Sequence, residues 1–190
     1  MIARLWGLVT CRMYMAVCQI ALLLAAFLSA TAILSGQGQG EYSVKAAFLL
    51  NFARYTDWPP SAFVNSTSPL VLCVIGADPF GAALDVIDGK SVRGRPLRIE
   101  RHGLGGALRS CHLAFISDSE RPGIDALLKT ADAASTLTIS DIDRFARRGG
   151  IIGLFVEGDR VRFEVNVRAA ERARLKLSSN LLKLATLVRQ

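Results

Sequence analysis

Apolar and polar positions recur along this chain in two rhythms, one helical and one extended. Residues 41–60, "EYSVKAAFLLNFARYTDWPP", carry the first. At about 100° per residue Val44, Ala47, Phe48, Phe52, Tyr55 and Trp58 fall on one side, the stripe of an amphipathic helix packed on a core. Asn51 lies near the middle of that stripe, so its amide is expected to pin a neighbouring segment or to face a pocket. The helix stops at Trp58-Pro59-Pro60, because the residue before a proline is pushed out of the helical region. Arg54 ends the stripe beside Trp58, a cation near an aromatic face, which serves packing and binding alike.

The second rhythm follows. Extended runs are expected at 69–75, 96–101, 111–116 and 135–139, with helices at 78–88 and 122–132 and a short one at 141–147. Such alternation predicts an α/β fold: a single three-layer domain with a mostly parallel sheet and helices on both faces. Gly158-Asp159 divides residues 151–167 into two extended runs, an antiparallel C-terminal hairpin on that sheet. In its second strand Val161, Phe163, Val165 and Val167 point one way; Arg162, Glu164 and Asn166 point the other, towards solvent. Should that row instead line a pocket, Arg162 and Asn166 join Asn51, Arg54 and Trp58 as candidate ligand- or partner-binding residues. A final helix is expected to carry Leu177, Leu181, Leu184 and Val188, a narrow seam suited to core docking or to helix pairing in a homodimer.

The N-terminus decides the compartment. Residues 1–14 hold Arg4 and Arg12 and no acid, and an uncharged run follows from Met15 to Leu34. With Ala30-Thr31-Ala32 in A-x-A form, residues 1–32 read as a signal peptide and 33–40 as a short linker to a domain at 41–190. The same run is long enough for an uncleaved single-helix anchor. Either route exports the rest of the chain.

Export gives the cysteines their meaning. Cys11 and Cys18 lie in the targeting segment, leaving Cys73 and Cys111, an even number in an oxidising compartment. Each sits in a strand-like apolar run, "LVLCVIG" and "CHLAFIS", and a disulfide between adjacent parallel strands is expected. A staple, a redox switch, and a metal site with His112 are the three uses open to it. The last is opposed by spacing foreign to zinc sites and by strand alternation, which points His112 away from Cys111.

Charge is uneven. Residues 141–190 carry 11 Lys and Arg against 6 Asp and Glu, whereas residues 33–140 carry 10 of each. For an exported chain the counterpart of that basic third is an acidic partner, lipid headgroups or a phosphorylated small molecule rather than nucleic acid. Enzyme templates are missing: there is no G-x-S-x-G, H-E-x-x-H or C-x-x-C. "GADPFG" at 76–81 has the context of a phosphate loop without its Lys-Ser/Thr, leaving at most a weak anion site at a helix start. Asp141 and Asp143 read as helix N-cap and dipole partners. Catalytic residues, metal ligands and cofactors are therefore expected to be absent.

"EYSVKAAFLLNFARYTDWP", "LVLCVIGADPFGAAL", "CHLAFIS" and "LTISDIDRFARRGGIIGLFVEGDRVRFEVNVRAAERARLKLSSNLLKLA" together, in order and spacing, resemble the YfiR-like family of periplasmic proteins. The resemblance covers nearly all of 41–188. It implies a non-enzymatic periplasmic regulator that binds the periplasmic sensor portion of an inner-membrane diguanylate cyclase and holds it down, lowering cyclic di-GMP signalling and biofilm formation. The family's intradomain disulfide corresponds to Cys73 and Cys111. Members can carry a second cysteine pair nearer the C-terminus, and this chain has no cysteine after Cys111, so redox control through that pair does not carry over. The competing reading is a receptor domain for a small anionic or aromatic ligand that feeds a membrane sensor.

Without catalytic templates, the purified protein is expected to turn over neither nucleotides nor phosphate esters. Hydrolysis that survives rigorous purification and disappears on replacing one acidic residue would overturn this.

Overall fold

A computed structural model describes residues 40–103 and 108–188; the expected signal peptide, with Cys11 and Cys18, and residues 33–39 of the linker lie outside them. Helix α1 occupies residues 40–54, and β1 (Thr56–Asp57) follows at once. The sheet-forming elements are β2 (Leu70–Ile75), β3 (Ser91–Val92), β4 (Arg95–His102), β5 (Leu113–Ile116), β6 (Leu137–Ser140), β7 (Ile152–Glu157) and β8 (Arg160–Val165). Helix α2 (Ile124–Ala134) lies between β5 and β6, and α3 (Val167–Arg172), β9 (Lys176–Leu177), α4 (Ser179–Leu184) and β10 (Thr186–Leu187) complete the chain.

Eight strands form one sheet in the order β10-β8-β7-β6-β5-β2-β4-β3, and a separate two-stranded ladder joins β1 to β9. Among the described residues neighbouring strands of the large sheet run parallel except at β7–β8 and β3–β4. At both ends the sheet closes with a strand of two residues.

Every residue of β2 is buried. Alternation sends Leu70, Leu72 and Val74 into one apolar cluster with α1, and Val71, Cys73 and Ile75 into another with Leu127 and Ala131 of α2. The first cluster is the larger. It joins Leu49, Phe52 and Ala53 of α1 to Phe115, Ile139, Leu154 and Phe163, with the Phe52 and Phe163 rings edge to face at 5.1 Å.

Helix α1 is rotated from its expected phase. Its buried positions are Lys45, Ala46, Leu49, Leu50, Phe52 and Ala53, an i, i+3, i+4, i+7 set, while Asn51 is exposed and Val44 is 46% exposed. The helix is apolar almost all round, so periodicity alone offers two stripes. The choice between them falls to the sheet, which selects the leucine side.

Other expectations need correction. Residues 78–88 form a short 3-10 turn at Gly81–Ala83 and looser turns, and 141–147 is a run of turns, not a helix. The expected final helix is broken into α3, β9 and α4. Arg174 adopts φ 59°, which ends the helical path; Lys176–Leu177 then pairs antiparallel with β1, and Ser178 caps a new helix by accepting from Leu181 N at 3.3 Å. The leucine seam thus never lies along one helix: Leu181 is buried and Leu184 exposed. No helix among the described residues is long and apolar enough to cross a membrane.

Phe52 and Arg54 separate the two sides of α1 in an experiment. Phe52→Ala, which empties a fully buried site in the aromatic cluster, is expected to cost about 3–5 kcal/mol in urea unfolding. Arg54→Ala, on the exposed side, is expected to stay within about 0.5 kcal/mol of the parent. Equal losses would show that the exposed side is also structural.

Candidate functional site

The five residues singled out from sequence are not assembled into one pocket. Asn51 and Arg54 sit on the exposed side of α1, where the Arg54 carbonyl accepts a hydrogen bond from Arg93 Nη1 at 3.3 Å. Trp58 turns inward instead: its indole N–H donates to the His112 carbonyl at 3.0 Å and its ring meets the imidazole edge-on. No cation–π pair joins Arg54 to Trp58 among the described residues. Arg162 is exposed and pairs with Glu157 at 3.3 Å. Asn166, expected to face solvent or a pocket, is 1% exposed and caps α3: its Oδ1 accepts from Ala169 N at 3.0 Å while its Nδ2 donates to Ala146 O at 2.8 Å. Alternation along β8 predicts its direction, but the turns of residues 141–149 cover that side.

His112 is held on both ring nitrogens. Nδ1 accepts from Val71 N at 3.1 Å, and Nε2 lies 3.0 Å from the Ala62 carbonyl, to which it donates; the ring stacks on Phe63 at 4.4 Å. These partners remove it from any metal site with its sequence neighbour Cys111. Cys73 and Cys111 are joined as a disulfide with Cα atoms 5.7 Å apart, and closing a loop of this separation stabilises the fold by about 4 kcal/mol in the chain-entropy account.

"GADPFG" is likewise used up by the fold. Ala77 N donates to Ser119 Oγ at 2.9 Å, Phe80 N to Asp78 Oδ1 at 2.8 Å, and Gly76 N to the His102 carbonyl at 2.9 Å. Asp78 also receives Arg101 Nε at 2.8 Å, so a carboxylate already occupies the place an anion would take.

The built site lies elsewhere, between α1 and the strands beyond it. A cleft of about 590 Å³ is lined by Lys45, Asp141, Arg144, Arg147, Phe155 and Glu164 among others. At its base the Lys45 ammonium, 3% exposed, lies 2.6 Å from Glu41 Oε1 and 2.5 Å from Asp141 Oδ2, and the Tyr42 hydroxyl donates to the same Asp141 oxygen at 2.9 Å. Asp141 was expected to cap a helix; without a helix there, its carboxylate pairs with Lys45 instead. Burial, with the Asp141 charge and hydrogen bond added, keeps the Tyr42 phenol protonated well above the usual tyrosine range. Glu164 crosses Gly153, its register partner on β7, where an added Cβ would stand 3.1 Å from the Glu164 Cγ, and it reaches Arg147 at 3.5 Å.

The rim is basic and apolar. Arg144 holds φ 56°, a conformation costing a non-glycine residue roughly 1–2 kcal/mol, and its exposed guanidinium pairs with Asp143 at 3.8 Å. Phe155 and Val156 of β7 lie exposed beside it on the cleft wall. Lys45 is engaged by two carboxylates, so its charge is already paired at the base of the cleft, and the unburied guanidinium groups of Arg144 and Arg147 face the opening. Sequence reasoning missed the cleft because its polar members come from four separate segments.

A family model described as YfiR/HmsC-like matches residues 42–186 of the chain. No curated protein matches it.

Burial lowers the His112 pKa below its ordinary value of 6.5, opposed by the Ala62 carbonyl and reinforced by Arg95. Below that value the unfolded chain takes up a proton that the folded imidazole resists. This group's contribution therefore leaves stability highest above pH 6.5 and lowers it as pH falls. Urea midpoints measured from about pH 8 to about pH 5 should show the decline, and His112→Gln should flatten it; an unchanged slope in the variant would assign it to other groups.

Proposed function

The chain belongs to the YfiR/HmsC-like family, and from that premise we propose that it is a periplasmic regulator that binds the sensor portion of a membrane diguanylate cyclase and represses it. It acts by occupying a partner's surface, without turnover. The observation that carries this reading is the placing of exposed apolar side chains. Val44 lies on the outward side of α1 and Tyr55 is exposed in the turn after it; Phe155 and Val156 at the exit of β7, 38% and 50% exposed, are matched by Leu184 and Leu187 around β10. Large apolar side chains gathered on particular elements of a folded domain mark where another protein is met. Basic residues flank them. Arg144 and Arg147 stand at the cleft mouth and Arg162 is opposite Phe155 in the β7–β8 register, so an acidic rim on the partner would meet a complementary charge.

The cleft favours a second, compatible role. A small anionic or aromatic molecule could place its charge against Arg144 and Arg147 and its apolar part on Phe155, and a ligand preferring one state of the repressor would tune repression.

Binding of the purified sensor portion distinguishes these surfaces. Phe155→Asp and Leu187→Asp are each expected to weaken it by more than about tenfold, as for residues central to an interface, while Val64→Asp, in the exposed loop before β2, leaves it unchanged. Retained near-ultraviolet circular dichroism establishes that each variant is folded. Full affinity in both β-strand variants would remove this end of the sheet from the interface.

A further inference from the structure

The disulfide has a third neighbour that its sequence does not announce. Cys73 on β2 lies opposite Glu100 on β4, and Ile75 lies opposite His102, so alternation puts Cys73, Glu100 and His102 on one face of the sheet. Cys111, in the turn before β5, approaches that face: its N–H donates to Leu108 O at 3.1 Å, and its carbonyl accepts from Thr136 Oγ1 at 2.8 Å. A ligating nitrogen of His102 and the two sulfurs all lie within 4.8 Å of one another.

One nitrogen of this imidazole, Nε2, is shielded from solvent and lacks a hydrogen bond among the described residues; the Glu100 carboxylate is 3.3 Å away, at ion-pair distance but outside hydrogen-bonding geometry. Buried polar nitrogens are ordinarily satisfied, and one left open beside two sulfurs needs an explanation. His112 offers no alternative, since both its ring nitrogens already have partners.

We propose that Cys73, Cys111 and His102 form a site for a zinc-like divalent ion, shut while the disulfide is closed and opened by its reduction. Two thiolates and one imidazole are a donor set suited to a borderline-soft ion, and three protein ligands leave the fourth position to water. The electron balance is simple. A dithiol of the thiol–disulfide exchange class gives two electrons and two protons to the sulfurs and becomes a disulfide itself; a water-soluble phosphine does the same in vitro, taking oxygen from water as phosphine oxide. Metal binding then releases the two thiol protons, and His102 contributes its nitrogen lone pair. A bound ion holds both thiolates, so occupancy and reoxidation exclude each other.

The test uses the full chain with Cys11→Ser and Cys18→Ser, which leaves Cys73 and Cys111 as its only thiols. Reduced by phosphine without denaturant, it is titrated anaerobically with Co²⁺ and then Zn²⁺. The expected result is one Co²⁺ per chain with thiolate-to-cobalt charge-transfer bands and a tetrahedral d–d spectrum, displaced by Zn²⁺ and absent from the oxidised protein. His102→Gln should shift the d–d bands and weaken zinc by more than about tenfold, since even an outer-shell partner of a ligand costs that much. An unchanged thermal melt of the oxidised variant shows that the fold is kept. Reduced protein that gives no such spectrum, or His102→Gln that matches the parent in spectrum and affinity, as two thiols in an unfolded chain would, overturns the proposal.

Discussion

A strand buried on both faces constrains this fold more than any other element. β2 has no exposed residue, so apolar side chains must cover it from two directions, and chain segments far apart in sequence supply them. One face is met by α1, just before β2 in sequence, in the apolar cluster that also takes in Phe163 of β8, more than eighty residues later. The other is met by α2 and by Leu108 in the turn ahead of β5. The disulfide crosses from β2 to that same turn, so it ties down the thinner of the two layers, where the apolar cluster is smaller. Burial sets the architecture, and the covalent bond reinforces it where burial is least extensive.

Three polar side chains carried inward by this packing are answered by partners. Lys45 enters the wall of the larger core with two carboxylates, Asn166 caps α3 while holding the Ala146 carbonyl, and His112 is bonded through both nitrogens. The ion cluster at Lys45 joins α1 to the turn after β6 and so fixes one wall of the cleft relative to the other. A buried ion pair of this kind contributes little net stability, because desolvation offsets most of the Coulombic gain. What it adds is a tie between the seated helix and that turn.

How far sequence reveals this molecule depends on the signal each element carries. The strands were legible because a parallel sheet covered on both faces needs short unbroken apolar runs, as in "LVLCVIG" and "CHLAFIS". The cysteine pair was legible from count and compartment. The phase of α1 was not, since a helix with apolar residues on nearly every side has no single periodic answer. The C-terminal segment misled for a related reason: leucines at 177, 181 and 184 keep helical spacing, but the left-handed turn at Arg174 and the pairing of β9 with β1 are tertiary facts. Trp58 and Asn166 looked like binding residues because an indole and an amide serve binding and packing equally; only their partners decide which.

Two-residue strands at the sheet ends have a consequence for how such a protein can meet others. β3 and β10 are too short to offer a row of unpaired backbone groups as a template, so neither end can readily be extended by a strand from a neighbour. Polymerisation through edge-to-edge growth is thereby discouraged. Recognition is left to side chains on faces and turns, where a single substitution can change the choice of partner without disturbing a backbone ladder.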